Sequence, residues 1–140
     1  MGARAFSMMM AACLLALMAA GPLQARQAWS DGHVAELADA LSEVWTHGLT
    51  PEHYPSPEAV LALPEGPERD ALAREGFMAL ARDLALGRID PRQLEPDWTA
   101  PQATPDLDLA LATALRENTV FDTLEGFSPS HPDYMALRRE

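Results

Sequence analysis

The sequence predicts an all-α fold, a small irregular multi-helix domain after a cleaved signal peptide, and three observations carry that prediction. Apolar residues recur at three- and four-residue spacing, the repeat of one buried helical face. Triplets of a hydroxyl residue, proline and an acid recur where helices would begin. No alternating run is sustained enough to build a sheet, and no internal repeat is present.

The chain opens with the three parts of a secretory signal: Arg4 gives a positive start, residues 6–20 form an apolar run, and Gly21-Pro22-Leu23-Gln24-Ala25 ends on a small residue. Export by the general secretory route is expected, with cleavage between Ala25 and Arg26 and a periplasmic destination. An apolar run of about fifteen residues is shorter than the roughly twenty that span a bilayer, so no stable membrane anchor is expected. Cys13 stands too early in the run for a lipoprotein cysteine, which needs a longer apolar stretch before it. Residues 26–140 are enough for one domain with a single modest core.

Cys13 is the only cysteine and leaves with the signal, so the mature chain has no disulfide, thiolate ligand or cysteine nucleophile. All ten basic residues are arginine; nine remain after cleavage against 21 carboxylates, a formal charge of −12. Nucleic acid and anionic lipid would repel such a domain.

The first helix starts at Asp31, where Val34, Leu37, Ala38, Leu41, Val44 and Trp45 form one apolar stripe and Glu36, Asp39 and Glu43 face water; Gly48 closes it. Helix starts are expected at Thr50-Pro51-Glu52, Ser56-Pro57-Glu58 and Thr104-Pro105-Asp106, each hydroxyl residue acting as the cap. Pro55, Pro57, Pro64 and Pro67 confine any helix between them to about 58–63. The longest helix is expected over 68–86, with Leu72, Phe77, Leu80, Ala81 and Leu84 inward and Gly87 at its end. Gly76 inside it costs about 1 kcal/mol relative to alanine, which points to close packing there. Arg88-Ile89-Asp90-Pro91 forms a turn, and Trp98 plugs the edge of the core. A further helix covers 106–117 with Asn118 as its stop; 120–124 reads equally as helix or strand; and 131–140 begins a helix that ends within about two turns.

Little in the chain carries chemistry. Glu36, Asp39 and Glu43 are spaced for paired-carboxylate glycan hydrolysis, but the apolar stripe turns them to solvent. His33, His47, His53 and His131 are too scattered for a local metal motif. The sequence has no serine elbow, phosphate-cradling glycine loop or dinucleotide fingerprint. No catalytic, metal-binding or cofactor-binding residue is therefore assigned, and no cofactor is expected. Among the aromatic residues Trp29, Trp45, Trp98, Tyr54 and Tyr134, the stripe puts Trp45 in the core, while Trp29 and Tyr134, near the mature ends, are the better candidates for contact with sugars or a partner, a structural role being the commoner one for such residues.

Two phrases resemble a known family. Ala81-Arg82-Asp83-Leu84-Ala85-Leu86-Gly87-Arg88-Ile89-Asp90-Pro91, followed by Trp98, is similar to a helix-turn segment in the N-terminal scaffold domain of large periplasmic L,D-transpeptidases. Ser128-Pro129-Ser130-His131-Pro132-Asp133-Tyr134-Met135-Ala136-Leu137-Arg138 resembles that domain's closing phrase, and Gly48-Leu49 with Tyr54 fits its earlier turn. The resemblance covers 31–138. It implies a helical scaffold which, in full-length relatives, precedes a peptidoglycan-binding segment and a YkuD-type catalytic domain that joins stem peptides at diaminopimelate through a cysteine acyl-enzyme. The family's Ser-His-Gly-Cys phrase has no counterpart after Ala25, so no catalytic role passes to any residue here. The expectation is a non-catalytic periplasmic scaffold module in peptidoglycan cross-linking or cell-wall remodelling, in contact with a transpeptidase, another peptidoglycan-synthesis protein, or murein. Its alternatives are the N-terminal part of a split or truncated L,D-transpeptidase and, last, an acidic-residue glycan hydrolase.

Overall fold

The computed structural model describes residues 28–88 and 104–138. The signal-like segment, the expected cleavage between Ala25 and Arg26, the Ile89-Asp90-Pro91 turn and Trp98 lie outside the described residues. Within them all regular structure is helical: α1 Asp31–Ser42, α2 Pro57–Ala62, α3 Pro67–Leu86, α4 Leu107–Glu117, α5 Val120–Glu125 and α6 Pro132–Leu137, with 3-10 turns at Val44–His47 and Pro51–His53. The all-α prediction holds, and the ambiguous segment after Asn118 is helix. No described helix is long and apolar enough to cross a membrane.

α1 is the hub, packing against α2, α3 and α5, while α4 bridges α3 and α5. Its start is set by Ser30, whose Oγ accepts the His33 amide at 3.3 Å while His33 Nδ1 accepts the Ser30 amide at 3.1 Å. This is a capping box with histidine where glutamate or glutamine is usual. The other ring nitrogen, Nε2–H, donates to Asn118 Oδ1 at 2.9 Å, joining the start of α1 to the end of α4. Asn118 itself stops α4 in the left-handed region, φ 55°, as its amide side chain tolerates.

Of the two described tryptophans, Trp29 takes the structural place weighed as the commoner one for it, and Trp45 departs from its predicted place in the core. Trp29 is 2% exposed and sits edge-on to Phe77, centroids 6.4 Å apart, so it is core rather than a contact residue. Trp45 is 65% exposed. The α-helical period that would bury it ends at Ser42, and the tighter three-residue turn from Val44 keeps Val44 inside while rotating Trp45 out.

Other boundaries follow the predicted punctuation with two corrections. Ser56 caps α2 through the Ala59 amide, and Gly48 (φ 71°) and Gly87 (φ 75°) end their segments. Thr50, however, makes no cap bond and starts only a 3-10 turn, and α4 is capped by Asp106, not Thr104: Asp106 is extended and its carboxylate accepts the Leu109 amide at 3.0 Å. Along α3, Phe77, Leu80, Ala81 and Leu84 are buried as predicted, Leu72 is half-buried, and Ala73 takes the inner position. Gly76 lies beneath the α1 leucines Leu37 and Leu41 and Pro55, yet a Cβ there would stand 3.5 Å or more from each. Close approach is real, but it does not demand glycine.

One buried charge ties the N-terminal approach to α3. Arg69 is 5% exposed; its guanidinium donates to Asp31 Oδ1 at 2.6 Å and to the Trp29 carbonyl at 2.8 Å, while Asp70 accepts the Trp29 amide at 3.3 Å. Its Nε has no acceptor among the described residues.

Candidate functional site

The residues most heavily committed to polar contacts lie where the closing segment meets the Val44–His47 turn. α6 begins with His131 as cap, its Nδ1 accepting the Asp133 amide at 3.3 Å, and Pro132 at the first helical position. No residue of α6 is buried. α1 contributes six buried residues, and burying a large apolar side chain is worth about 1.5–3 kcal/mol. α6 lacks that anchor and is held by side-chain hydrogen bonds, each worth about 1 kcal/mol net.

The hydrogen bonds run in series. Tyr134 Oη is 2.5 Å from His47 Nδ1, and His47 Nε2 is 3.0 Å from Glu125 Oε1. A neutral ring that donates from Nε2 to the carboxylate and accepts the tyrosine proton at Nδ1 satisfies all three groups. Arg138 grips the same carboxylate with Nη1 at 2.7 Å and Nη2 at 3.3 Å, donates from Nε to Thr46 Oγ1 at 3.2 Å, and lies 3.8 Å from Glu43. Burial and the neighbouring Arg138 charge hold the His47 ring below its usual pKa. Burial pushes the Glu125 carboxyl up, but the Arg138 bonds and charge, together with His47, outweigh it and leave its pKa lowered. Arg138 is correspondingly raised, its bond to Glu125 prevailing over burial.

Hydroxyl, imidazole and carboxylate in line is the order of a nucleophile relay, since Ser128 Oγ also lies 3.4 Å from His47 Nδ1. Here Tyr134 occupies that nitrogen more closely, the His47 side chain is only 3% exposed, and both Glu125 oxygens are held by Arg138. The arrangement works as a clasp that seats α6.

The remaining candidates are dispersed. Glu36, predicted to face water, instead accepts the Phe121 amide at 3.2 Å and caps α5, whose own Thr119 makes no cap bond. Asp39 and Glu43 are exposed, as predicted. His33 is a buried helix-capping residue, His53 accepts from Arg88, and His131 is an exposed cap. Among the described residues no group of three or more histidine, cysteine or acidic side chains could hold a metal ion. Tyr54 is buried and donates to Asp83 Oδ2 at 2.5 Å, burial and that bond raising its pKa. Arg88 folds back on Asp83 and His53, which gives the Asp83-to-Arg88 phrase a structural purpose: it locks the end of α3 against the connector.

Beside the clasp lies an open groove of about 440 Å³ lined by Glu43, Trp45, Thr46, Met135 and Arg138. Trp45 and Met135 (40% exposed) are its apolar walls. The sequence pointed to neither, because Trp45 fits an inward stripe and Met135 lies in a segment too short to show a face.

Comparison with known proteins agrees with the two phrases. A family model described as a scaffold domain matches residues 23–140, nearly all of the chain beyond the apolar run. No curated protein and no solved structure matches the chain. With the match running through both phrases, the chain belongs to the family of L,D-transpeptidase scaffold domains, a non-catalytic domain family.

Proposed function

We propose that this chain is exported, loses residues 1–25, and acts in the periplasm as a non-catalytic module that supports peptidoglycan cross-linking by contact with the cross-linking machinery. The observation that carries the reading is family membership over residues 23–140 in a chain whose sole cysteine, Cys13, stands inside the signal-like run. The clasp agrees with it: the imidazole, carboxylate and guanidinium that could have served chemistry are spent on holding α6. A net charge of −12 after cleavage, with no lysine, also disfavours binding to nucleic acid or anionic lipid.

Two measurements test the proposal. Fractionation of the native host, with N-terminal sequencing of the purified chain, should find it in the periplasm beginning at Arg26. Incubation of the mature domain with muropeptide donor and acceptor strands should give no new cross-links. A cytoplasmic location, or cross-linking by the domain itself, would overturn the reading.

A further inference from the structure

We propose that the groove between the Val44–His47 turn and α6 binds a protein segment that presents an apolar side chain beside a lysine or arginine. The inference rests on the scaffold reading and names the chemistry of the partner. Trp45, Met135 and Arg138 are the residue types enriched at the centres of protein interfaces. A tryptophan 65% exposed with a methionine at its side offers the apolar area that an inserted aliphatic or aromatic side chain would cover.

The polar groups decide between a peptide and a glycan. Arg138 spends its guanidinium on Glu125 and Thr46, and Thr46 Oγ1 accepts from it, so the groove offers few open groups for the ring of hydroxyls on a sugar. What remains open is Glu43, whose side chain is 48% exposed and only loosely approached by Arg138 at 3.8 Å. Glu43 is also the C-cap of α1, at the negative end of a helix with no basic residue in its last turn. Among the described residues the rim sets one guanidinium, Arg138, against two carboxylates, Glu125 and Glu43, which leaves a net negative charge that complements a cation able to stack on Trp45. A second copy of the chain, equally acidic, is the wrong partner on the same grounds.

The test uses the mature domain and labelled, amidated peptides read by fluorescence anisotropy: alternating leucine and arginine, the same length with serine and arginine, and the same length with leucine and glutamate. The leucine–arginine peptide should bind saturably, with the other two weaker by about tenfold or more. Trp45→Ala should weaken that binding about tenfold, within the range of interface hot spots. Glu43→Gln should weaken it and reduce its salt dependence. Both side chains are solvent-exposed, so the variants should fold; Met135→Ser serves as a second apolar variant, and circular dichroism checks each. Unchanged binding by Trp45→Ala and Met135→Ser, equal binding of the leucine–glutamate peptide, no saturable binding of any peptide, or displacement by a disaccharide–tetrapeptide muropeptide would overturn the proposal. Failure here alongside a periplasmic, non-catalytic domain would remove the groove and leave the scaffold reading standing.

Discussion

Tyr134 Oη meets His47 Nδ1 at 2.5 Å across 87 residues of sequence, and it is the only ring-to-ring hydrogen bond among the described residues. Because α6 has no buried residue, Tyr134→Phe should loosen the closing segment without unfolding the domain. The expected global cost is about 1 kcal/mol, the net worth of one hydrogen bond. Hydrogen exchange should quicken over residues 132–138 while α1 and α3 keep their protection. Equal protection of α6 in the variant would mean that the clasp does not seat it.

Acid should weaken the domain in two steps. His47 is held below its ordinary value of 6.5, so below that pH the unfolded chain takes up a proton that the folded chain refuses, and stability falls as pH drops. Glu125 is held below 4.5, so the stability it contributes is present above that value and is lost as pH falls through its folded value. Urea unfolding at pH 8, 5.5 and 4 should show a monotonic decline. His47→Gln should remove the part of the decline between pH 8 and 5.5.

Asp31 looks like an ordinary surface acid, its side chain 88% exposed, yet it neutralises Arg69, whose side chain is 6% exposed. Asp31→Ala would leave a buried guanidinium without its counter-ion, which costs about 1–3 kcal/mol because the site of the lost acid is open to water. Glu117→Gln, at an exposed pair with Arg116, should stay within about 0.5 kcal/mol. Equal small costs for the two in chemical denaturation would show that Arg69 does not depend on Asp31.

Gly76→Ala should stabilise. The new Cβ would stand 3.5 Å from Leu41, 3.6 Å from Pro55 and 3.7 Å from Leu37, ordinary contact distances, while mid-helix glycine costs about 0.5–1 kcal/mol relative to alanine. A rise in melting temperature is expected. A fall would mean that the α1–α3 contact cannot accept the methyl.

The helices α1, α3 and α4 were legible because each shows a sustained apolar period bounded by glycine, asparagine or proline. The exposure of Trp45 was not: it depends on a change of helical period after Ser42 that no single residue announces. The clasp was invisible for a different reason. His47 is joined to Glu125 and Tyr134 across 78 and 87 positions, and Arg138 to Thr46 across 92, so no local spacing encodes them. The two family-like phrases did mark the places: Asp83 and Arg88 in one, Tyr134 and Arg138 in the other, are the residues whose side chains fix distant segments together.

The most direct test adds the purified mature domain to the isolated YkuD-type catalytic domain of a full-length relative and measures diaminopimelate cross-links formed between muropeptides by mass spectrometry. The domain alone should form none, and its addition should raise the yield of the catalytic domain. Cross-links formed by the domain alone, or a yield from the catalytic domain that its addition leaves unchanged, would contradict the scaffold role.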